Sequence, residues 1–357
     1  MSGKKAQTQV QFQWVFVLIA GAIILAFFVS LSVWYKSSQE LKLEDTVVLK
    51  LKSLFTTAME SPRTAMPLQI PEMNLKFSCD FLSCRGHSCA SEFSGGGVSS
   101  AIETDVLFAH TNLKSNMLVT WSLPWAVPFP VTNFLYVTND KMRYILIHSL
   151  NPDDIRLAGL VNDELQQNSY LNKQFISQEE LNSLENFNED FVRIVYFGNN
   201  LPSSLRAELD ALYAGNDFDI LQVYWDEALN GPGNANENTG DLLFEGETSP
   251  MYYAGIPQLI GAIFSPSGPV YQCNMFKTVF KLLTVAKNYR NAAEYYTLEL
   301  PEDKVYCGSY YETMIASLET IMLEAGGDVD FEAIGPEILN LRDTNNNLVI
   351  KDCPRLF

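Results

Sequence analysis

The chain has 357 residues, with 24 Lys and Arg against 42 Asp and Glu, a formal net charge of −18. That balance excludes nucleic-acid binding, or adhesion to anionic lipid, through a broad basic surface. Hydrophobic residues make up 47% and charged residues 18%, which excludes a disordered polyelectrolyte and leaves enough apolar side chain for a sizeable core.

Residues 1–13 carry Lys4 and Lys5 with no acid beside them, and no residue from Trp14 to Tyr35 is charged. About 22 residues make roughly 33 Å of helix, enough for a hydrocarbon core of about 30 Å. Trp14 at one end and Trp34 and Tyr35 at the other have the amphipathic rings that settle at the two headgroup levels. A cleavable secretory signal has a shorter apolar core, about 7–15 residues, although Ser30-Leu31-Ser32 has the form of a cleavage site. The reading is a transmembrane helix over 14–35 with the bilayer as its partner. The basic residues before it predict a cytoplasmic N-terminus and a chain that is otherwise extracytoplasmic. The apolar stretch "MYYAGIPQLIGAIFSP" (251–266) is short of a crossing and contains Pro257.

Residues 36–60 form an amphipathic helical stem, with Leu41, Val48, Leu51, Phe55 and Ala58 on one face. That face packs either on the chain's own domain or on a second copy. Pro62, Pro67 and Pro71 end the helix. Residues 61–150 read as β-rich, with strand candidates "NLKFSCDF", "DVLFAH", "NMLVTWSL", "TNFLYVT" and "MRYILIH". "SGGGVSS" (94–100) reads as a flexible loop. "LPWAVPFPV" (123–131) reads as an irregular connection or sheet edge.

Residues 151–357 change rhythm. Helix "PDDIRLAGLVNDELQQ" and helix "SQEELNSLEN" precede strand "DFVRIVYF", helix "PSSLRAELDALYA" and strand "DFDILQVYW". Buried strands alternating with amphipathic helices predict a mainly parallel sheet covered by helices. "NGPGNANENTG" (230–240) is an exposed loop. Two long helices follow, and "LRDTNNNLVIKD" (341–352) reads as a hairpin or turn with a short strand. The fold class is therefore α/β, with α+β elements on the N-terminal side. A single N-terminal transmembrane helix carries a large ectodomain.

Six cysteines, Cys79, Cys84, Cys89, Cys273, Cys307 and Cys353, are an even set, which in an exported domain reads as disulfides. Cys273 and Cys307 each precede a helical segment. In an antiparallel hairpin those starts lie at opposite ends, so each cysteine is expected to pair with Cys353 or with the early cluster. The alternative is a metal site of Cys79, Cys84, His87 and Cys89, three thiolates and an imidazole as structural zinc needs, although the spacing matches no zinc signature. No G-x-S-x-G, H-E-x-x-H or P-loop is present, and no cofactor is expected. In an open α/β sheet, ligands bind beyond the carboxyl ends of the strands. Those ends carry His148, then Asn199 and Asn200, then Asp226 and Glu227. If the three strands are neighbours, His148, Asp226 and Glu227 supply acid–base groups for a hydrolase, but strand ends carry polar turn residues in any case. Asp343, Asn345 and Asn347 have the spacing of a calcium loop's first ligands. Leu348 and Pro354 stand where its glycine and glutamate are needed.

The residues "KKAQ" immediately before a long apolar helix resemble the class III signals of archaeal type IV pilin-like proteins. The resemblance covers about the first 40 residues, or up to 60 with the stem. It implies a cut on the cytoplasmic side, between Ala6 and Gln7, after which the helix is the packed spine of a filament or stays in the membrane. Ala22, Ala26 and Ser30, four apart, offer a close-packing face for self-association. The functional expectation is a single-pass anchored protein with a surface-interaction or envelope-structural role. Its rivals are a pilin-like filament or assembly subunit and a membrane-anchored ecto-hydrolase.

Overall fold

In a computed structural model of the protein the described residues are 4–79, 91–102, 105–181, 184, 191–213, 217–225, 239–326 and 331–357. Within them the side chains of 4–16, 33, 35–45, 225, 325–326 and 331–333 lie outside the description.

Helix α1 (Lys4–Met59) is unbroken over 56 residues. Val48, Leu51, Phe55 and Ala58 are buried. The expected apolar face of the stem therefore packs on the chain's own domain, while Leu41 lies outside the described side chains. Toward the N-terminus the same helix exposes apolar residues on every side, Ile23 at 65%, Phe27 at 61% and Trp34 at 69% among them. Among the described residues no helix is long and apolar enough to cross a membrane, so the expected span 14–35 is not supported. The continuous run with described side chains, from Val17 to Ser32, gives only roughly 24 Å at ~1.5 Å per residue. Trp14 and Tyr35 lie outside it.

A first sheet has the order β3-β2-β1-β5-β6-β4, with β1 (Met66–Cys79), β2 (Ser91–Gly95), β3 (Val98–Ile102), β4 (Val106–Ala109), β5 (Asn112–Ala126) and β6 (Pro130–Asn139). It is antiparallel except for the parallel pair β4–β6. "SGGGVSS" is no loose loop: its ends pair as β2 and β3, and the turn falls on Gly96 and Gly97, both with positive φ. The proline-rich stretch 123–131 is likewise mostly strand, with the cis Val127-Pro128 bond at its corner. Met73, Leu75 and Phe77 alternate toward one face, the face under α1, where Phe55 meets Phe93 edge-on at 5.3 Å.

The second sheet, order β12-β11-β10-β9-β7-β8, contains β7 (Met142–His148), β8 (Asn172–Ser177), β9 (Phe191–Phe197), β10 (Phe218–Trp225), β11 (Thr239–Phe244) and β12 (Met251–Ala254). β8, β7, β9 and β10 are parallel, as expected for a sheet with helical crossovers. β11 and β12 add an antiparallel edge. The sheet is therefore mixed, and β7 belongs to it rather than to the β-rich region before residue 150. α2 (Pro152–Gln166) covers one face. α3 (Ser203–Leu212) covers the other, against Ile145, Ile147, Val192 and Ile194. The second expected helix, 177–186, is not formed where it is described: Ser177 ends β8 and 178–181 make a turn, while 182, 183, 185 and 186 lie outside the described residues.

Between the sheets lies α4 (Ile256–Phe264), whose residues from Gln258 to Phe264 are all buried. The sequence Ile-Pro-Gln-Leu-Ile-Gly-Ala-Ile-Phe is apolar on all sides, as a helix enclosed on all sides requires. Gly255, at φ 86°, turns the chain from β12 into the helix, and Pro257 sits in the first turn where no N–H is missed. A Cβ on Gly261 would lie 2.7 Å from the Phe108 ring, so only glycine lets α4 approach β4 this closely. Phe264 touches both sheets, meeting Tyr136 at 5.4 Å and stacking on Tyr144 at 4.8 Å. α5 (Gly268–Leu298) runs along the first sheet, and α6 (Gly308–Gly326) and α7 (Phe331–Ile350) pack in succession after it.

The expected hairpin at 341–352 is the last part of α7. Asn345, far from acting as a calcium ligand, is buried and fastens the C-terminus. Its side-chain oxygen accepts from Leu356 N at 3.0 Å, and its amide donates to the Phe357 carbonyl at 2.8 Å.

The packing of α1 is directly testable. Phe55→Ala should cost about 3–5 kcal/mol of unfolding free energy. Leu54→Ala, one residue away but 42% exposed, should change it by about 0.5 kcal/mol or less. Urea titrations of the two variants would check this.

Candidate functional site

The three strands that were to present His148, Asn199 and Asp226 are neighbours, in the order β7, β9, β10. The chain leaves β7 for β8 on one flank and returns as β9 on the other, so the sheet has its switch point between β7 and β9. The polar groups there are engaged with one another. The Ser149 N–H donates to the Phe197 carbonyl at 2.9 Å, and the Gly198 N–H donates to Val223 O at 3.0 Å. Ser149 Oγ donates to Asp154 Oδ2 at 2.5 Å, and Tyr196 OH donates to Gln178 Oε1 at 3.2 Å. α2 starts here, but Asn151 caps it and Asp153 and Asp154 fill its first turn, so its positive end is already answered by carboxylates.

His148 Nδ1 lies 2.8 Å from the Ser149 carbonyl oxygen, and its ring rests near Phe175 at 5.1 Å. A carbonyl only accepts, so Nδ1 carries the proton and Nε2 remains the basic nitrogen. Asn199 and Asn200 are exposed. Asp226 and Glu227, the other members of the candidate acid–base set, lie outside the described residues.

The cysteines behave as structural elements. Cys79 bonds to Cys273 and Cys307 to Cys353, with Cα separations of 5.8 and 5.9 Å. Cys273 thus reaches the early cluster and Cys307 reaches Cys353, the pairing that the geometry of the helix starts favoured. A sulfur in a disulfide is no thiolate, so Cys79 is lost to the alternative zinc set. Cys84, His87 and Cys89 lie outside the described residues. No group of metal-ligating side chains occurs among the described residues.

Two charged positions in the interior are set by the fold. Arg193, 2% exposed, lies on the inner face of β9 and pairs with Asp219 at 2.8 Å. Its guanidinium also donates to the Ser265 carbonyl at the end of α4, where the helix carries its negative partial charge. Burial pushes Asp219 up to about 6 against the opposing pull of Arg193, and burial lowers Arg193. Lys277 of α5 is buried and donates to Ser91 Oγ at 2.7 Å, Ile102 O at 2.9 Å and Asp105 O at 3.2 Å. All its ammonium protons are thereby used, and burial brings it down to about 8.

One recess escaped the sequence reading. A cleft of about 330 Å³ opens between the β5–β6 corner, α2 and the start of α4. Arg63 and Glu164 line it, from segments a hundred residues apart in the chain. Only a glycine before a proline-containing helix start marked the place.

Two outcomes follow from these positions. Peptide mapping without reduction should yield Cys79–Cys273 and Cys307–Cys353. Serine replacement of either pair should cost about 2–5 kcal/mol, more for the first, whose loop of 194 residues exceeds the 46 of the second. The second outcome concerns His110, whose ring lies 4.3 Å from Phe191 and whose pKa is lowered, chiefly by burial. The unfolded chain then binds a proton at the ordinary value of 6.5 and the folded chain only below it. Stability is therefore lost as pH falls beneath 6.5, and His110→Gln should flatten the slope of unfolding free energy between about pH 6.5 and 5. No protein-family model, curated protein or solved structure matches the chain.

Proposed function

We propose that this chain is a single-pass, N-in membrane protein. Its disulfide-bonded α/β domain lies outside the cytoplasm and serves in surface interaction or envelope structure. The observation that carries the reading is the division of labour along α1. One unbroken helix is buried in the domain at Val48, Leu51, Phe55 and Ala58, and it exposes apolar side chains on every side from Val17 to Trp34. A helix apolar all round belongs inside protein or lipid. The uncharged stretch of sequence around it, residues 14–35, is long enough for the bilayer. Two disulfides among the described residues fit an oxidising compartment. The absence of catalytic motifs and the mutual hydrogen bonding of the switch-point groups favour an interaction role over hydrolysis.

A pilin-like subunit is the second reading, favoured by the continuity of α1. The apolar segment and the packed stem form a single rod of roughly 84 Å, with no break between spine and domain. In that case other copies cover the exposed apolar residues after a cut between Ala6 and Gln7.

Protease added to intact cells should remove the domain while α1 remains in the alkali-washed membrane fraction. A domain shielded until the cells are lysed would overturn the anchored reading. N-terminal sequencing separates the two readings: a start at Gln7 selects the pilin-like subunit, and an intact N-terminus selects the anchor.

A further inference from the structure

The ends of α5 and α7 meet at one tip of the domain. Between α5 and α6 the chain makes a short 3-10 turn, Glu302–Cys307. Its Cys307 is bonded to Cys353 beyond α7, and Tyr306 OH donates to the Lys351 carbonyl at 3.0 Å. Lys304 Nζ lies 3.0 Å from Asp352 Oδ2. Tyr296 turns inward and stacks on Tyr311 at 5.5 Å, which leaves the adjacent Tyr295 outside. The last turn of α5, the 3-10 turn and the last turn of α7 thus share one braced surface.

That surface is apolar at its centre. Leu298 and Ile350 are 82% and 74% exposed, and Tyr295, Val305 and Tyr306 are each exposed over more than half of their area. These five side chains present roughly 600 Å² to water, the size at which an exposed patch marks an interaction site. With its charged rim the face approaches the roughly 800 Å² per partner of a stable interface. A face braced before it docks also loses little freedom on binding.

The rim indicates the occupant. At a net charge of −18 two copies repel each other as wholes, but around this tip the charges nearly balance. Lys304 and Asp352 pair within the tip. Beyond them Glu299, Glu302 and Asp303 follow α5, and Lys351 and Arg355 follow α7, all exposed. One flank is therefore acidic and the other basic. A two-fold axis sets residue i against j and j against i, so the acidic flank of each copy meets the basic flank of the other.

We propose that this tip is the docking surface for a second copy of the chain, in a two-fold dimer whose centre is Leu298, Val305, Tyr306 and Ile350. The inference goes beyond the anchored reading and does not depend on it.

The test is the mass of the detergent-solubilised full chain, by sedimentation equilibrium in density-matched detergent. A dimer is expected, with a Kd in the micromolar range or tighter. Leu298→Glu combined with Ile350→Glu places four carboxylates in the contact, because each substitution enters it twice. That variant should raise the Kd about a hundredfold or more. A wild-type chain that stays monomeric up to about 100 µM overturns the proposal. So does a dimer that the double variant leaves intact, which would place self-association elsewhere, as on α1. A benzophenone side chain in place of Leu298 identifies the occupant directly. Illumination should yield a product of twice the chain's mass, cross-linked to the same tip of the second copy. Adducts with detergent or lipid alone overturn the assignment. Near-ultraviolet circular dichroism and the Cys307–Cys353 peptide report that each variant is folded.

Discussion

Everything in this fold is arranged around a helix that must be hidden from water on all sides. α4 cannot shed its apolar surface to solvent, so two sheets close over it, and their side chains reach across it. Trp125 donates from the first sheet to the Ala254 carbonyl at 2.9 Å, and Tyr136 donates to Pro257 O at 2.7 Å. Both acceptors lie at the start of α4. Its own Gln258 accepts from Ala254 N at 2.6 Å. At the other end, Ser265 and the Arg193 guanidinium take up the last carbonyls. The last carbonyls of a buried helix are orphan acceptors, and Ser265 and Arg193 answer them, whereas Trp125 and Tyr136 tie the backbone around the start of α4 to the first sheet. Burying Arg193 to do so is costly, and Asp219 beside it offsets that cost.

The outer layers are fastened by different means. α1 adheres to the first sheet chiefly through apolar contact, Phe55 with Phe77 and Phe93, and at its end the Asn133 amide of β6 donates to the Met59 carbonyl at 2.8 Å. α5 is held covalently by Cys79–Cys273 and, four residues along, by the ammonium of Lys277. That ammonium ties β2, β3 and the approach to β4 to one helix. Cys307–Cys353 closes the C-terminal helices on themselves.

Much of this architecture was legible because it is written in local periodicity. The strands from β4 to β7, and then α2, β9, α3 and β10, announce themselves through alternation or a 3.6-residue stripe. The stem's buried face was visible for the same reason. What failed did so where context outweighs composition. Three glycines between serines read as a loop, yet two of them make the tight turn that lets the flanking residues pair. Asp-Thr-Asn-Asn-Asn reads as a turn, but packing of α7 and the grip of Asn345 on the C-terminus hold it helical. β8 is short and polar, and only its parallel partner β7 makes it a strand. The cleft was illegible in principle. Arg63, Glu164 and Gly255 meet only after both sheets have closed, and no spacing in the sequence records that meeting.

Hydrogen exchange of the folded protein, resolved to individual amides, tests the central role of α4 most directly. If both sheets close around this helix, the amides of Ile260–Phe264 exchange only through global unfolding, and their exchange free energies equal that from denaturant titration. Exchange of those amides at the rates of the exposed end of α7, well below the global value, would contradict the account.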